Sequence, residues 1–120
     1  LEVRYGGIRA VKGIDLHVDE GELVCMIGAN GAGKSSTLRA ISGLIQPAPG
    51  QVKYDGRDLA GVRAHLRARS GLVMVPEGRG IFPQLTVDEN LAMGAYTRSG
   101  PEVEADRDRM FTLFPRLRER

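Results

Sequence analysis

Eight residues near the start of the chain, Gly28-Ala29-Asn30-Gly31-Ala32-Gly33-Lys34-Ser35, constrain the fold more than any other feature. They follow the pattern of a glycine, four residues and then Gly-Lys-Ser, which is typical of loops that bind polyphosphates. Several backbone N–H groups must converge on a phosphate chain, and this requires glycine conformations without bulky side chains. Lys34 can reach the β- and γ-phosphates of a nucleotide, and Ser35 can offer its hydroxyl to Mg²⁺.

The residues on either side of this loop have the patterns that it requires, a strand before it and a helix after it. The run Leu23-Val24-Cys25-Met26-Ile27 is continuously apolar, which predicts a central strand covered on both faces, with Cys25 as a small core residue. Residues 34–42 place Leu38 and Ile41 three apart, the spacing of one helix face. The sequence therefore predicts a strand, a phosphate loop and a short helix in succession.

Other strands and turns are predicted from periodicity and from turn residues. Residues 14–18 alternate apolar and polar side chains, as in a half-buried strand. Gly43 is positioned to end the short helix, and Asp55-Gly56 to form a turn. Further strands are predicted at residues 1–5, 51–54 and 72–75.

Three more helices are predicted, over residues 60–70, after Thr86 and from Pro101. Thr86 and Glu89 have the spacing of a capping box, in which each residue satisfies a backbone N–H near the other. Proline is common in the first turn of a helix. A helix that begins at Pro101 would bury along one face Val103, Met110 and Phe114.

The charge pattern gives little support for a nucleic-acid partner. The formal net charge is +2, because 17 basic residues are balanced by 15 acidic ones. Basic residues cluster in one segment without aromatic residues that could stack on bases, and we interpret them as a solvated helix face: Arg57, Arg63, Arg67 and Arg69. No apolar run approaches the ~20 residues that cross a bilayer, so membrane association is expected only through partners.

Longer stretches of the sequence resemble a known family. Tyr5-Gly6, the phosphate loop with its continuation to Leu38, and Ser42-Gly43-Leu44 together resemble the nucleotide-binding domain of ABC transporters. Residues 75–82 and 85–91 resemble one branch of that family, the ATP-binding subunits for branched-chain amino acid uptake. The resemblance implies an α/β fold: a P-loop NTPase core with an N-terminal antiparallel β flank at about 1–84, then the start of a helical subdomain at about 85–120.

The resemblance also implies a set of nucleotide-binding residues. Tyr5 would stack its ring on adenine and Val11 would line the same side, although Tyr5 could instead be an aromatic residue that merely packs at a sheet edge. Lys34 would be catalytic, and ATP would be bound with Mg²⁺. The implied ATP-binding residues are Tyr5, Val11, Gly28, Ala29, Asn30, Gly31, Ala32, Gly33, Lys34, Ser35 and Ser36.

Glu77 stands where ABC proteins usually carry a glutamine that senses Mg²⁺ and the attacking water. A carboxylate binds Mg²⁺ through charge. The resemblance therefore implies that Ser35 and Glu77 contact the metal and that Glu77 takes part in catalysis. Phe82 and Leu85 follow in a segment that, by resemblance, borders the groove for a permease helix, so we expect both to be exposed.

The resemblance implies several partners and a location. A second ABC ATPase subunit, identical or different, would close head to tail on ATP, and integral-membrane permease subunits would hold the pair at the cytoplasmic face of the inner membrane. A signature motif, a Walker B strand and a switch histidine do not occur between Leu1 and Arg120. We therefore expect an N-terminal part of a longer ATPase that is inactive alone.

Two other functions stay open from the sequence alone. A soluble ABC-type ATPase of DNA repair or chromosome maintenance would share the phosphate loop. The short distance along the chain from Lys34 to Glu77 and the segment 85–91 favour an importer instead. A nucleotide-binding module without a transport role is the other possibility, and the recovery of permeases rather than DNA would separate these functions.

Overall fold

The computed structural model describes all residues from Leu1 to Arg120 and divides into two compact units, residues 1–74 and 75–120. The first unit contains β1 (Glu2–Tyr5), β2 (Ile8–Lys12), α1 (Lys34–Ile41), β3 (Lys53–Tyr54), β4 (Arg57–Asp58) and α2 (Ala64–Arg69). The second contains α3 (Val87–Gly94), α4 (Pro101–Leu113) and α5 (Arg116–Glu119). None of these helices combines the length and the apolar character needed to cross a membrane. The subdomain division near residue 84 stays a prediction.

The first two strands form an antiparallel hairpin. Glu2 pairs with Lys12 at the open end and Tyr5 with Ile8 beside the turn, with an irregularity after Val3. Gly6 occupies the turn at φ +58°, a conformation that glycine adopts readily. The predicted antiparallel flank is therefore present, but its second strand is residues 8–12.

The prediction of a strand at residues 14–18 is wrong. Ile14 exchanges two backbone hydrogen bonds with Leu1, and the pairing ends there. Leu16 and Val18 are exposed instead of half-buried. An alternating pattern describes a strand that covers a core on one face, but it does not supply the neighbouring strand or the core.

The predictions of buried strands at residues 23–27 and 72–75 are also wrong for this structure. Neither segment joins a sheet, because the two hairpins, β1–β2 and β3–β4, contain all the paired strands. Leu23 and Ile27 are 93% and 95% exposed, and Cys25 is exposed rather than in the core. A central strand is held by hydrogen bonds from strands on both sides, and no segment of this chain provides them here.

The core of the first unit lies between the β1–β2 hairpin and α1. Val3, Val11 and Ala40 are buried together, with Leu1 and Ile45 packed against them. Because the inward face of α1 carries Ala40, Leu38 is exposed, although its spacing from Ile41 is that of one helix face. Gly43 follows the end of α1 at φ +80°, which confirms it as the residue that ends the helix.

A second hairpin follows α1. Asp55 and Gly56 both have positive φ, +48° and +72°, and they connect β3 to β4. Two successive residues with positive φ match the right-handed twist of the flanking strands. The predicted turn is confirmed, with a strand of two residues before it.

The interpretation of four arginines as a solvated helix face is wrong at one position. Arg57, Arg63 and Arg69 are exposed, but Arg67 is 2% exposed and is the largest fully buried side chain of the chain. Its guanidinium donates hydrogen bonds to backbone carbonyls, which permits a charged group to be buried. Burial lowers the pKa of Arg67.

The second unit begins with the predicted helix after Thr86. The Thr86 hydroxyl accepts a hydrogen bond from the Glu89 backbone N–H, and the Glu89 carboxylate accepts one from the Thr86 backbone N–H at 2.7 Å, so the capping box is confirmed. α4 begins at Pro101, also as predicted. Phe114 lies beyond the helix and is exposed, contrary to expectation, because it precedes Pro115 and that position disfavours helical geometry.

The capping box predicts a pH dependence that is local to the start of α3. Hydrogen bonds from the backbone N–H and the hydroxyl of Thr86 hold the pKa of Glu89 below its ordinary value. The stabilisation of α3 by ionised Glu89 should therefore be complete above the ordinary carboxyl pKa. It should be lost as the pH falls through the lowered pKa of Glu89. Amide hydrogen exchange in the first turn of α3 should show protection that falls as the pH drops below the ordinary carboxyl pKa.

Glu89→Gln is the matched control, since its amide oxygen can accept the same hydrogen bonds and does not titrate in this range. Its protection should be independent of pH. Thr86→Ala should lower the stability of the helix by ~1 kcal/mol at neutral pH. An identical loss of protection at low pH in the wild type and in Glu89→Gln would contradict this account.

Candidate nucleotide-binding site

The phosphate loop leads directly into the N-terminus of α1. Gly31 and Gly33 have φ of +83° and +95°, and α1 begins at Lys34 without a side-chain cap on Gly33. No acidic residue lies in the first turn of the helix. The N–H groups and the positive end of the helix dipole therefore point towards the loop, an arrangement that favours an anion such as phosphate.

Gly33 is where the loop approaches the hairpin most closely. A Cβ atom at this position would lie 2.6 Å from the Ala10 carbonyl oxygen and 3.0 Å from Cγ2 of Val11. Only a residue without a side chain fits there. Gly31 has a similar backbone conformation but no neighbouring atom within 4 Å of the corresponding point, so that side of the loop is open.

Lys34 folds back across the loop from the first turn of α1. Its ammonium group donates hydrogen bonds to the carbonyl oxygens of Gly28, at 2.6 Å, and Ala29, at 2.9 Å. An ammonium group carries three donors, so one more is available for a phosphate oxygen. The lysine ammonium group is therefore held inside the loop, and its contact with a phosphate stays a prediction.

Thr37 holds the end of the phosphate loop through hydrogen bonds, a role that the loop motif does not predict. It is buried, and its hydroxyl and its backbone N–H both donate to the Gly33 carbonyl oxygen, at 2.9 and 2.8 Å. Ala32 donates a further hydrogen bond to the carbonyl of Ala29. The only sequence signal is the spacing, because a threonine four residues after a glycine can donate its hydroxyl to the carbonyl oxygen of that glycine within a helix.

Tyr5 and Ser36 are brought together beside the loop. The Tyr5 hydroxyl donates to the Ser36 hydroxyl oxygen at 3.3 Å, and 44% of Tyr5 remains exposed. A half-exposed ring next to the helix that follows the loop has the accessibility needed for stacking. Val11 is buried under Gly33, and its contact with adenine stays a prediction.

Glu77 lies in the second unit, in an exposed turn. Gly78, Arg79 and Gly80 follow it with positive φ, so the backbone turns sharply after the carboxylate. Ser35, in the first turn of α1, belongs to the first unit. A hydroxyl and a carboxylate are oxygen donors of the kind that Mg²⁺ prefers, so the chemistry of these two residues fits the ion.

Comparison with protein families identifies the family to which the chain belongs. The family model described as ABC transporter matches residues 11–119. The chain belongs to the ABC transporter family. Members of this family carry a P-loop NTPase fold that binds ATP, so the prediction of an α/β P-loop protein with ATP as cofactor is confirmed at that level.

Individual relatives of this ABC transporter chain are similar over most of its length. The high-affinity branched-chain amino acid transport ATP-binding protein BraG of Pseudomonas aeruginosa is 43% identical over 97% of the chain and 50% of its own length. BraF of the same organism is 38% identical over 80% of the chain and 38% of its own length. A probable branched-chain amino acid transport ATP-binding protein, LivF of Archaeoglobus fulgidus, is 32% identical over 98% and 50%.

The chain spans about half the length of BraG and LivF. All three relatives are named for the same transported class and as ATP-binding proteins, which agrees with the branch that the sequence resembles. A soluble ATPase of DNA repair or chromosome maintenance is not favoured by these similarities.

Proposed function

We propose that this chain is part of the ATP-binding subunit of an importer of amino acids, of the branched-chain class, driven by ATP binding and hydrolysis. The observation that carries the proposal is the Lys34 ammonium group, held across the phosphate loop at the N-terminus of α1. The names of the relatives supply the transported class. The complete protein would be an ATPase coupled to transport.

The residues of the first unit would bind the nucleotide in three places. The N–H groups of the loop and of the first turn of α1 would surround the β- and γ-phosphates. The Lys34 ammonium group would donate its remaining hydrogen bond to a phosphate oxygen while keeping its contacts with the loop carbonyls. Tyr5 would support the adenine ring at the end of β1.

Ser35 and Glu77 would hold Mg²⁺ through oxygen atoms. The ion, when bound, would neutralise charge that develops on the phosphates during hydrolysis. Glu77 would also help to orient the attacking water, in place of the usual glutamine. Its position in the second unit, before a turn rich in glycine, would connect the state of the nucleotide to the segment that follows.

We propose that this segment, residues 78–91, would dock a permease helix. The Asn90 side chain exchanges two hydrogen bonds with the backbone of Phe82, and it donates further bonds to the carbonyls of Leu85 and Thr86. These bonds fix the backbone of residues 82–86 against the start of α3. Phe82 is 49% exposed, so it is not a core residue and its ring is available to a partner.

Phe82→Ala should leave ATP binding by the full-length subunit unchanged and should reduce uptake by the assembled transporter. The reason is that the truncation removes apolar surface from the partner contact without touching the phosphate loop. Binding titrations and transport into vesicles check the two parts. Tyr96→Ala, also an exposed aromatic residue of the second unit, is the matched control and should change neither.

Glu77→Ala should differ from Phe82→Ala, because it removes a proposed Mg²⁺ ligand and should weaken hydrolysis and transport together. A large fall in the melting temperature of Phe82→Ala, accompanied by loss of ATP binding, would contradict the docking role. In the assembled transporter a second ATP-binding subunit, identical or different, and permease subunits would place this protein at the cytoplasmic face of the inner membrane.

Affinity purification of the full-length protein from membranes tests the proposed assembly. The expected result is the recovery of integral-membrane permease subunits with a second ATP-binding subunit. Recovery of DNA, or ATP hydrolysis that depends on DNA, would overturn the proposal and would restore the function in chromosome maintenance.

A further inference from the structure

The C-terminal end of α1 is held by one buried side chain. Nη1 of Arg67 donates hydrogen bonds to the carbonyl oxygens of Ile41, at 2.7 Å, and Ala40, at 3.3 Å. These carbonyl oxygens belong to the last turn of α1, where they lack the regular N–H donors of the helix interior and form the negative end of the helix dipole. A buried cation placed there is favourable both as a hydrogen-bond donor and as a charge.

The same guanidinium is tied to the segment that connects β4 to α2. Nη2 donates to the Leu59 carbonyl oxygen and Nε donates to that of Val62, both at 2.9 Å. All four acceptors are backbone oxygens, so Arg67 joins three parts of the chain irrespective of their side chains. The Arg67 side chain also packs closely against Gly43, because a Cβ atom on Gly43 would lie 2.7 Å from Nε of Arg67.

α1 is short, and its two ends make different contacts. Its eight residues make it about 12 Å long. The N-terminal end presents Lys34 and the phosphate loop, while the C-terminal end rests on Arg67. A rotation of the helix about its middle, near the buried Thr37, would displace the N-terminal turn about as far as the C-terminal one. Misplacement of a binding group by about 1 Å can cost roughly a hundredfold in rate.

We infer that Arg67 is a positioning residue for the phosphate loop: by fixing the C-terminal end of α1 it sets the direction in which the N-terminus of α1 and Lys34 meet the nucleotide. The inference deepens the proposed function and rests on it. Arg67 has no direct contact with the nucleotide in this account. The C-terminal end of α1 has a second side-chain contact, in which the Ser42 hydroxyl lies 3.5 Å from the sulfur of Met74.

The test compares Arg67→Met and Arg67→Lys with the control Arg69→Met in the full-length protein. Methionine keeps the apolar stem without donors, and lysine keeps the charge but cannot reach four carbonyls. Arg69 lies on the same helix and is exposed, so its replacement removes the same charge without a buried contact. Binding of MgATP and of magnesium tripolyphosphate is measured by calorimetry well below the unfolding temperature, with folding verified by circular dichroism.

Arg67→Met should bind both probes roughly tenfold more weakly than the wild type, Arg67→Lys should fall between them, and Arg69→Met should be unchanged. A loss shared by ATP and tripolyphosphate locates the effect at the phosphate loop. Folded Arg67→Met with wild-type affinity for tripolyphosphate would overturn the inference, because a residue that acts only on stability leaves the affinity of folded molecules intact. Failure of the wild type to bind either probe would instead overturn the proposed function.

If neither Arg67 variant folds, hydrogen exchange of the wild-type protein decides. MgATP should then increase protection in the last turn of α1 and in α2 as well as in the loop, because these parts would be ordered together. Protection confined to the loop and the first turn of α1 would overturn the inference.

Discussion

Lys34→Ala in the full-length protein is expected to lower the rate of ATP hydrolysis by about a hundredfold or more. The substitution removes the charge that the loop holds next to the proposed β- and γ-phosphates, and the loss of a single preorganised donor at developing charge costs roughly 10²–10³ in rate. Steady-state phosphate release measures the effect. The carbonyls of Gly28 and Ala29 also lose their common donor, so the loop itself should become less ordered.

Lys53→Ala is the control for the loss of one positive charge, because Lys53 is exposed on β3 of the same unit. It should hydrolyse ATP at the wild-type rate. Wild-type turnover by Lys34→Ala, with the protein folded, would remove the assignment of residues 28–35 as the phosphate site.

Gly33→Ala is expected to have the second large effect, on both stability and nucleotide binding. A methyl group would lie 2.6 Å from the Ala10 carbonyl oxygen, and backbone atoms cannot move aside as a flexible side chain can. The positive φ adds a cost of ~1–2 kcal/mol for any L-residue. Either β2 or the start of α1 must shift, and that shift would displace Lys34.

Gly31→Ala separates the effect of the close contact with β2 from the effect of the positive φ. It has a similar positive φ but open space where its Cβ would lie, so without nucleotide it should show only the backbone cost. Thermal or denaturant unfolding of the full-length protein, measured without ATP, compares the two variants. An equal loss of stability in both would show that the contact between Gly33 and β2 is not significant.

The elements that could be predicted from the sequence are those whose hydrogen bonds or backbone conformations depend only on residues close together in the chain. Thr86 and Glu89 form their capping box within four residues, and Asp55-Gly56 supplies the two positive φ values that its turn needs. The phosphate loop belongs to the same class, because Lys34 reaches carbonyls five and six residues away. Sequence spacing is sufficient when both partners lie inside one short motif.

The elements that could not be predicted depend on distant partners. The apolar run 23–27 has the composition of a buried strand, but a strand also needs neighbours that donate and accept its hydrogen bonds. Arg67 contacts α1 across 26 and 27 residues of sequence, and nothing in its surroundings distinguishes it from the exposed Arg69. Its burial is a consequence of packing between elements, which no local pattern reports.

Uptake into proteoliposomes is the decisive measurement for the proposal that the complete protein uses ATP to drive the import of branched-chain amino acids. The full-length protein is reconstituted with the permease subunits that purify with it and the corresponding external binding protein, and labelled leucine, ribose and putrescine are supplied in turn. We expect ATP-dependent uptake of leucine, absent with Lys34→Ala and not seen with ribose or putrescine. Uptake of ribose or putrescine in place of leucine, or leucine uptake that persists with Lys34→Ala, would contradict the proposal.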